Sequence, residues 1–170
     1  DAAATRDYVD DAITNLGTHE YIESQIASER TYDACLGKTA PDLYSALVNG
    51  AKTIFVPEGT FTSDFASAFN VSGRLVVKGH GKGVSKLWLN LDDNVYFNML
   101  SDFDAVIFED LDLVLTNRAS AGEWYLFYNP NVPAPSAFYA FRNCRIEMIA
   151  NTTVSDFNMF RLDQGGVHVV

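Results

Sequence analysis

Basic residues are scarce in this chain and do not cluster. Lys and Arg total 12 against 22 Asp and Glu over 170 residues, for a net charge of −10 and a pI of about 4.5. A nucleic-acid binder needs a basic face to neutralise phosphates, so that class is excluded. Long apolar runs are missing as well. None approaches the ~18 residues of a spanning helix, and no membrane insertion is expected. Cysteine is nearly absent: Cys35 and Cys144 lie far apart, form no CxxC and build no framework of bridges, so they read as two buried or idle thiols. His19, His80 and His168 share no ligand spacing, which leaves no expected metal and no cofactor. The first residues carry no signal-peptide pattern. The chain begins at Asp1 and stops in "GVHVV", an unfinished strand, and so reads as a piece of a longer or cleaved polypeptide.

What is present is apolar and aromatic. Hydrophobic residues make up 48% and aromatics 13%, enough to build the core of one domain with a short appendage. The appendage is residues 1–38. "TRDYVDDAITNL" places Val9, Ile13 and Leu16 on a narrow stripe between Thr5 as N-cap and Gly17 as C-cap. "THEYIESQIASER" restarts behind Thr18 with Tyr21, Ile22 and Ile26 on one side. So thin a stripe suits a coiled-coil seam better than a globule, and such short helices are marginal alone. "TAPDLYSALVNGAK" (39–52) reads as a helix with Thr39 and Asp42 in capping-box spacing, Leu43, Ala46 and Leu47 on one face, and Gly50 at its end.

From residue 53 the sequence reads as strands almost without interruption: 53–56, 60–62, 74–78, 86–90, 95–99, 105–115, 123–128, 138–149, 157–162 and 167–170. They are short, rich in Val, Ile, Phe and Tyr, and joined by turn chemistry. Between the first two, Pro57-Glu58-Gly59 replaces the Asn-Gly or Asp-Gly of a hairpin. Pro cannot donate to a ladder and Gly tolerates unusual φ, so pairing stops and the chain turns a corner into a new direction.

One internal echo carries the architecture. "VIFEDLDLVL" (106–115) aligns with "AFYAFRNCRIEMI" (137–149) when Phe108 is matched with Phe141, an offset of 33 residues. Leu111, Leu113 and Leu115 then point inward, as do Cys144, Ile146 and Met148, while Asp110, Asp112, Asn143 and Arg145 point out. "VYFNML" and "WYLFY" echo each other ahead of the two copies, and "FNMFRL" opens a third. A unit of this kind cannot bury its inner face alone, but stacked units can. The expected fold is therefore mainly β, a solenoid of stacked coils, with residues 39–170 supplying a capping helix and the first coils.

Candidate chemistry is thin. Glycoside cleavage needs two carboxylates. Asp110 and Asp112 share a strand face at ~6.6 Å between Cα atoms, but the next coil puts Arg145 opposite Asp112 at about 4.8 Å, so the pair reads as an outward ion pair. Catalytic residues are not assigned. Gly79-His80-Gly81-Lys82-Gly83 lacks the GxxxxGK[ST] order of a phosphate loop and reads as a tight corner. Among the aromatics Trp88, Tyr96, Trp124 and Tyr125, an exposed ring would stack on sugar, and Trp124 and Tyr125 are the carbohydrate-contact candidates. Asp42, Pro57, Gly59, Asp112 and Arg145 are assigned structural roles.

"DLYSALVNGAKTIFVPEGTFT" (42–62) resembles the opening of the pectin-lyase-like fold, a right-handed parallel β-helix: a capping helix, a strand, then a VPxGT(Y/F) corner. "RLVVKGHGKGVSKLWL", "FEDLDLVL" and "FRNCRIEM" resemble its later coils. "AATRDYVDDAI" resembles the linker helices of phage tail fibres and tailspikes. The combination is similar to phage tailspike depolymerases. That resemblance implies a homotrimer on the virion tail, contacts to other tail or baseplate proteins, and binding, with possible cleavage, of bacterial surface polysaccharide. Any active site would lie beyond these residues or between subunits. The alternatives are a secreted, monomeric, extracellular polysaccharide lyase or hydrolase of the same fold, and a non-catalytic structural virion module.

Overall fold

A computed structural model of the chain describes residues 32–92, 94–117, 123–130, 137–149 and 156–162. The two helices expected over residues 5–30 and the strand expected at 167–170 lie outside them.

The chain first makes a short strand, β1 (Ala34–Cys35), then helix α1 (Leu43–Val48). The helix is shorter than the sequence suggests. Asp42, rather than Thr39, is its N-cap and accepts from the Ser45 N–H at 2.8 Å. Thr39 is used one turn earlier, where its hydroxyl accepts from the Cys35 N–H at 2.7 Å. Gly50 follows the helix at φ +88°, a conformation that favours glycine, and ends it as expected. Leu43, Ala46 and Leu47 are buried. Asp33 ties the start of β1 to the strand behind it: its carboxylate accepts from the N–H groups of Lys52 and Thr53, both at 2.8 Å, and these bonds hold its pKa below the usual carboxylate value.

The rest is mainly β, built from parallel pairs. β2 (Thr53–Val56), β4 (Phe69–Gly79), β6 (Val95–Glu109), β8 (Glu123–Asn129), β9 (Phe138–Arg142) and β11 (Asp156–Leu162) join β1 in one sheet. β3 (Gly59–Phe65), β5 (Ser85–Leu91), β7 (Asp112–Asn117) and β10 (Arg145–Ile149) form the other. The chain passes repeatedly from one sheet to the other, and Pro57-Glu58 is the first such corner. Gly59 opens β3 at φ +115°, and its N–H bonds to the Val84 carbonyl of the following corner at 3.1 Å. The long strands β4 and β6 are each irregular: their register shifts around Gly73. The early part of β6 consequently pairs with β8, and its later part with β9.

Phe108 stands opposite Phe141 in register, with the rings stacked at 5.7 Å and 8°. Leu113 faces Ile146 and Leu115 faces Met148. Two expected strands are broken, however. The run 105–115 ends at Glu109 and resumes at Asp112, and the run 138–149 ends at Arg142 and resumes at Arg145. The breaks occur at Asp110 (φ 56°) and Asn143 (φ 51°), residue types that tolerate the left-handed region, and the Asn143 amide donates to the Asp110 carboxylate at 2.8 Å. These corners sit one above the other. The separately expected strands 95–99 and 105–109, by contrast, are one continuous strand.

The core follows from the register. Phe97, Phe127 and Phe160 are aligned on β6, β8 and β11, and the centroids of successive rings lie 5.7 and 5.5 Å apart. Phe65 joins them edge-on at 5.6 Å from Phe97. Leu87, Leu89 and Leu91 of β5 pack with Leu113 and Leu115 of β7 on the inner face. Ser85 is fully buried, but its hydroxyl is satisfied twice, donating to the Val56 carbonyl and accepting from the His80 N–H, both at 2.8 Å. Three inward assignments loosen at the last coil: Ile146 and Cys144 are only half-buried, and Met148 is 43% exposed.

Candidate functional site

The face of the second sheet turned away from the core carries most of the polar chemistry. Leu87, Leu89 and Leu91 point inward, so alternation sends Lys86, Trp88 and Asn90 the other way. Register extends this pattern into rows. Thr60, Lys86, Asp112 and Arg145 form one, Thr62, Trp88, Val114 and Glu147 the next, and Asp64, Asn90, Thr116 and Ile149 the third.

Asp112 and Arg145 meet in the first row, with Arg145 Nη2 at 2.7 Å from Asp112 Oδ2. The pair differs from a solvated surface bridge. Asp112 is only 2% exposed, whereas the Arg145 side chain is 57% exposed. Burial of the carboxylate is offset by a second bond, from the Gly83 N–H to Oδ1 at 3.1 Å. The corner at residues 81–84 thus folds over the start of β7, and Lys82, Gly83, Asp112, Cys144, Arg145 and Ile146 line an open groove. Burial pushes the Cys144 thiol above its usual pKa, which disfavours the thiolate. Asp110 lies in the neighbouring corner, within 3.7 Å of Lys78, and does not share the Asp112 strand face. The expected Asp110/Asp112 carboxylate pair is therefore lost, because the chain turns between them.

In the third row Asn90 donates to Asp64 at 2.8 Å and accepts from the hydroxyl of Thr116. The indole N–H of Trp88 points at the same cluster, 3.1 Å from Asn90 Oδ1 and 3.3 Å from Thr116 Oγ1. Trp88 is half-buried and its ring is held in place by these bonds.

Of the two carbohydrate-contact candidates, Trp124 is corrected: it is 0% exposed and offers no ring face. Strict alternation fails on β8, where Trp124, Tyr125, Leu126 and Phe127 are all buried. Tyr96 is also fully buried, its hydroxyl donating to the Leu89 carbonyl at 3.1 Å. Tyr125 lines a second open groove with Asn94, Val95, Glu123, Tyr128 and Arg161. Its hydroxyl donates to Glu123, and this bond, with burial second, raises the phenol above its usual pKa. The Arg161 guanidinium lies 5.5 Å from the Tyr125 ring centroid and 5.2 Å from that of Tyr128, a cation–π arrangement that occupies these rings. The structural residues Asp42, Pro57 and Gly59 stand at the helix cap and the first corner and line neither groove.

Sequence reasoning missed Gly83 as a partner of Asp112, and Lys82 as a neighbour in the same groove. The signal was available in Gly79-His80-Gly81-Lys82-Gly83, but a corner contacts the next coil's strand only once register is known. The Asp112–Arg145 contact is measurable. Asp112→Asn should cost about 1 kcal/mol and Arg145→Ala about 1–2 kcal/mol, with a coupling of about 1 kcal/mol in the double variant, read from urea unfolding. Strict additivity would argue against the pairing.

No protein-family model, curated protein or solved structure matches this chain.

Proposed function

We propose that this chain is the N-terminal part of a phage tailspike or tail fibre. In this reading the segment ahead of β1 links the domain to the virion, and β1, the capping helix and the strands that follow form the first coils of a right-handed parallel β-helix. Three copies assemble side by side, and the β-helix presents a surface for bacterial polysaccharide. One observation carries the proposal: the chain crosses repeatedly between two parallel sheets, and later strands fall in register on earlier ones, down to the stacked rings of Phe108 and Phe141. α1 and β1 at the start of the first sheet add support, since a stack of parallel strands needs its first apolar layer and open edge covered. The polar outward rows with the anchored Trp88 suit a glycan better than an apolar ligand.

Native mass spectrometry at micromolar concentration is expected to give a trimer. A monomer would count heavily against the tailspike reading, and a monomer that shortens polysaccharide chains would replace it with the secreted-enzyme reading. Incubation of the whole protein with capsular and lipopolysaccharide glycans separates a binding or cleaving spike from a purely structural module.

A further inference from the structure

We propose that Asn49-Gly50, at the end of α1, is a modification site: Asn49 loses its side-chain amide to the following backbone nitrogen and becomes a mixture of isoaspartate and aspartate, which loosens the cap of the domain. Asn49 is the one asparagine in the chain that is followed by glycine. A β-carbon on the next residue would crowd the ring closure, and glycine has none. The step balances without a cofactor or oxidant. The Gly50 nitrogen gives up its proton to hydroxide and attacks Asn49 Cγ. The new nitrogen–carbon bond forms, the bond from Cγ to Nδ2 breaks, and ammonia leaves with a proton taken from water. Water then opens the five-membered imide at either carbonyl. A free carboxylate is left at position 49, with the backbone routed through the α-carbonyl or through the side chain.

Asn49 and Gly50 are both exposed. A Cβ on Gly50 would meet nothing within 4 Å, so this peptide has room to move. The Gly50 N–H bonds to the Leu47 carbonyl at 2.9 Å, and ring closure needs that bond released and the peptide between the two residues rotated. The opening is confined to the last turn of a six-residue helix, and helix ends lie at the low end of local-unfolding free energies. Asn70, Asn90 and Asn98, by contrast, lie inside paired strands and precede larger residues. Asn49, Gly50, Thr39 and Asp33 line one concavity between β1 and α1. Asp33 is the residue whose carboxylate ties β1 to the N–H groups of Lys52 and Thr53. A carboxylate at position 49 stands at the negative end of the helix and shares that concavity with Asp33, so helix carbonyls and a like charge both oppose it. Isoaspartate also lengthens the backbone by one atom at the C-cap.

The test incubates the folded 170-residue chain in mildly alkaline buffer, then uses tryptic digestion and mass spectrometry, with an unincubated sample as reference. The peptide from Thr39 to Lys52 is expected to gain one dalton at position 49 and to split into two chromatographic isomers, with Asn70, Asn90 and Asn98 unchanged. The rate should fall within about tenfold of that of the synthetic 39–52 peptide, because only a terminal turn opens. Asn49→Gln should abolish the gain. Asn49→Asp, which supplies the charge on a normal backbone, should lower the thermal midpoint by about 1–4 °C, and by less at high salt. A rate more than about a hundredfold below that of the peptide, or a gain appearing first at another asparagine, overturns the site. An Asn49→Asp midpoint equal to that of the parent overturns the loosening of the cap.

Discussion

Gly79→Ala is expected to lower the thermal midpoint by about 10 °C, although it adds one methyl group. Gly79 closes β4 immediately before the corner, and its φ lies outside the left-handed region, so alanine meets no backbone penalty there. The cost is purely steric. A Cβ at this position would overlap the Asp110 carbonyl oxygen and stand 2.7 Å from Ser85 Cβ and 2.9 Å from Leu111 Cβ. None of these is the end of a flexible side chain. Asp110 is fixed by its N–H bond to the Arg142 carbonyl, Ser85 by two bonds across the corner, and Leu111 is fully buried. Relief requires the β4 corner to move away from the corner between β6 and β7. Overpacking of this kind costs about 3 kcal/mol, and a domain of this size loses roughly 2–4 °C for each 1 kcal/mol. Gly59→Ala is the comparison. It has open space around its Cβ but φ +115°, so only backbone strain of about 1–2 kcal/mol is expected. Melting curves followed by circular dichroism would decide. A Gly79→Ala protein within ~2 °C of the parent would mean that these corners do not nest as described.

The same corners explain what the sequence concealed. The offset of 33 residues was legible because Phe108 and Phe141, and the polar residues after them, keep their spacing in two successive coils. The corner inside each copy was not. In "FEDLDLVL" two polar residues, Glu109 and Asp110, separate Phe108 from the Leu111, Leu113, Leu115 series, a slip in period 2 that a bulge would also produce and that does not reveal that the chain has turned. Only the positive φ of Asp110 and Asn143 does so. Asp112 was consequently placed on a solvated face, when it is the first residue of a new strand under the Gly83 N–H. Its partner Arg145 was legible because both residues sit at the same point of their coils. Trp124 failed for the reason alternation fails on β8: Leu126 and Phe127 both enter the core, and inward or outward cannot be assigned by counting. The helix was overextended because Thr39, a good cap by type, is spent on the turn at Cys35. Residues that close corners carry the strongest constraints here, and they look in sequence like ordinary surface residues.

Phe127→Ala is expected to cost about 4 kcal/mol, within the range for deleting a buried phenylalanine ring. Phe127 is the hub of the aromatic core. Its centroid lies 5.7 Å from Phe97, 4.8 Å from Tyr139 and 5.5 Å from Phe160, with Phe108 and Phe141 at 6.5 and 6.1 Å. These rings belong to strands β6, β8, β9 and β11, so a single truncation opens a cavity that several coils share. The site cannot collapse easily, because each neighbour is itself held in a parallel ladder, β6 on both sides and β9 and β11 on one. Phe127→Leu keeps most of the volume and should cost only about 1–1.5 kcal/mol. Phe61→Ala, a half-buried ring resting against the Gly37 backbone, should cost less than half as much as Phe127→Ala, because water already reaches part of it. Urea unfolding of the three variants gives the order directly, and the slope of the transition should stay constant if all unfold from the same compact state. If Phe127→Ala costs no more than Phe61→Ala, the rings do not form one shared core, and the layers bury their inner faces independently of one another.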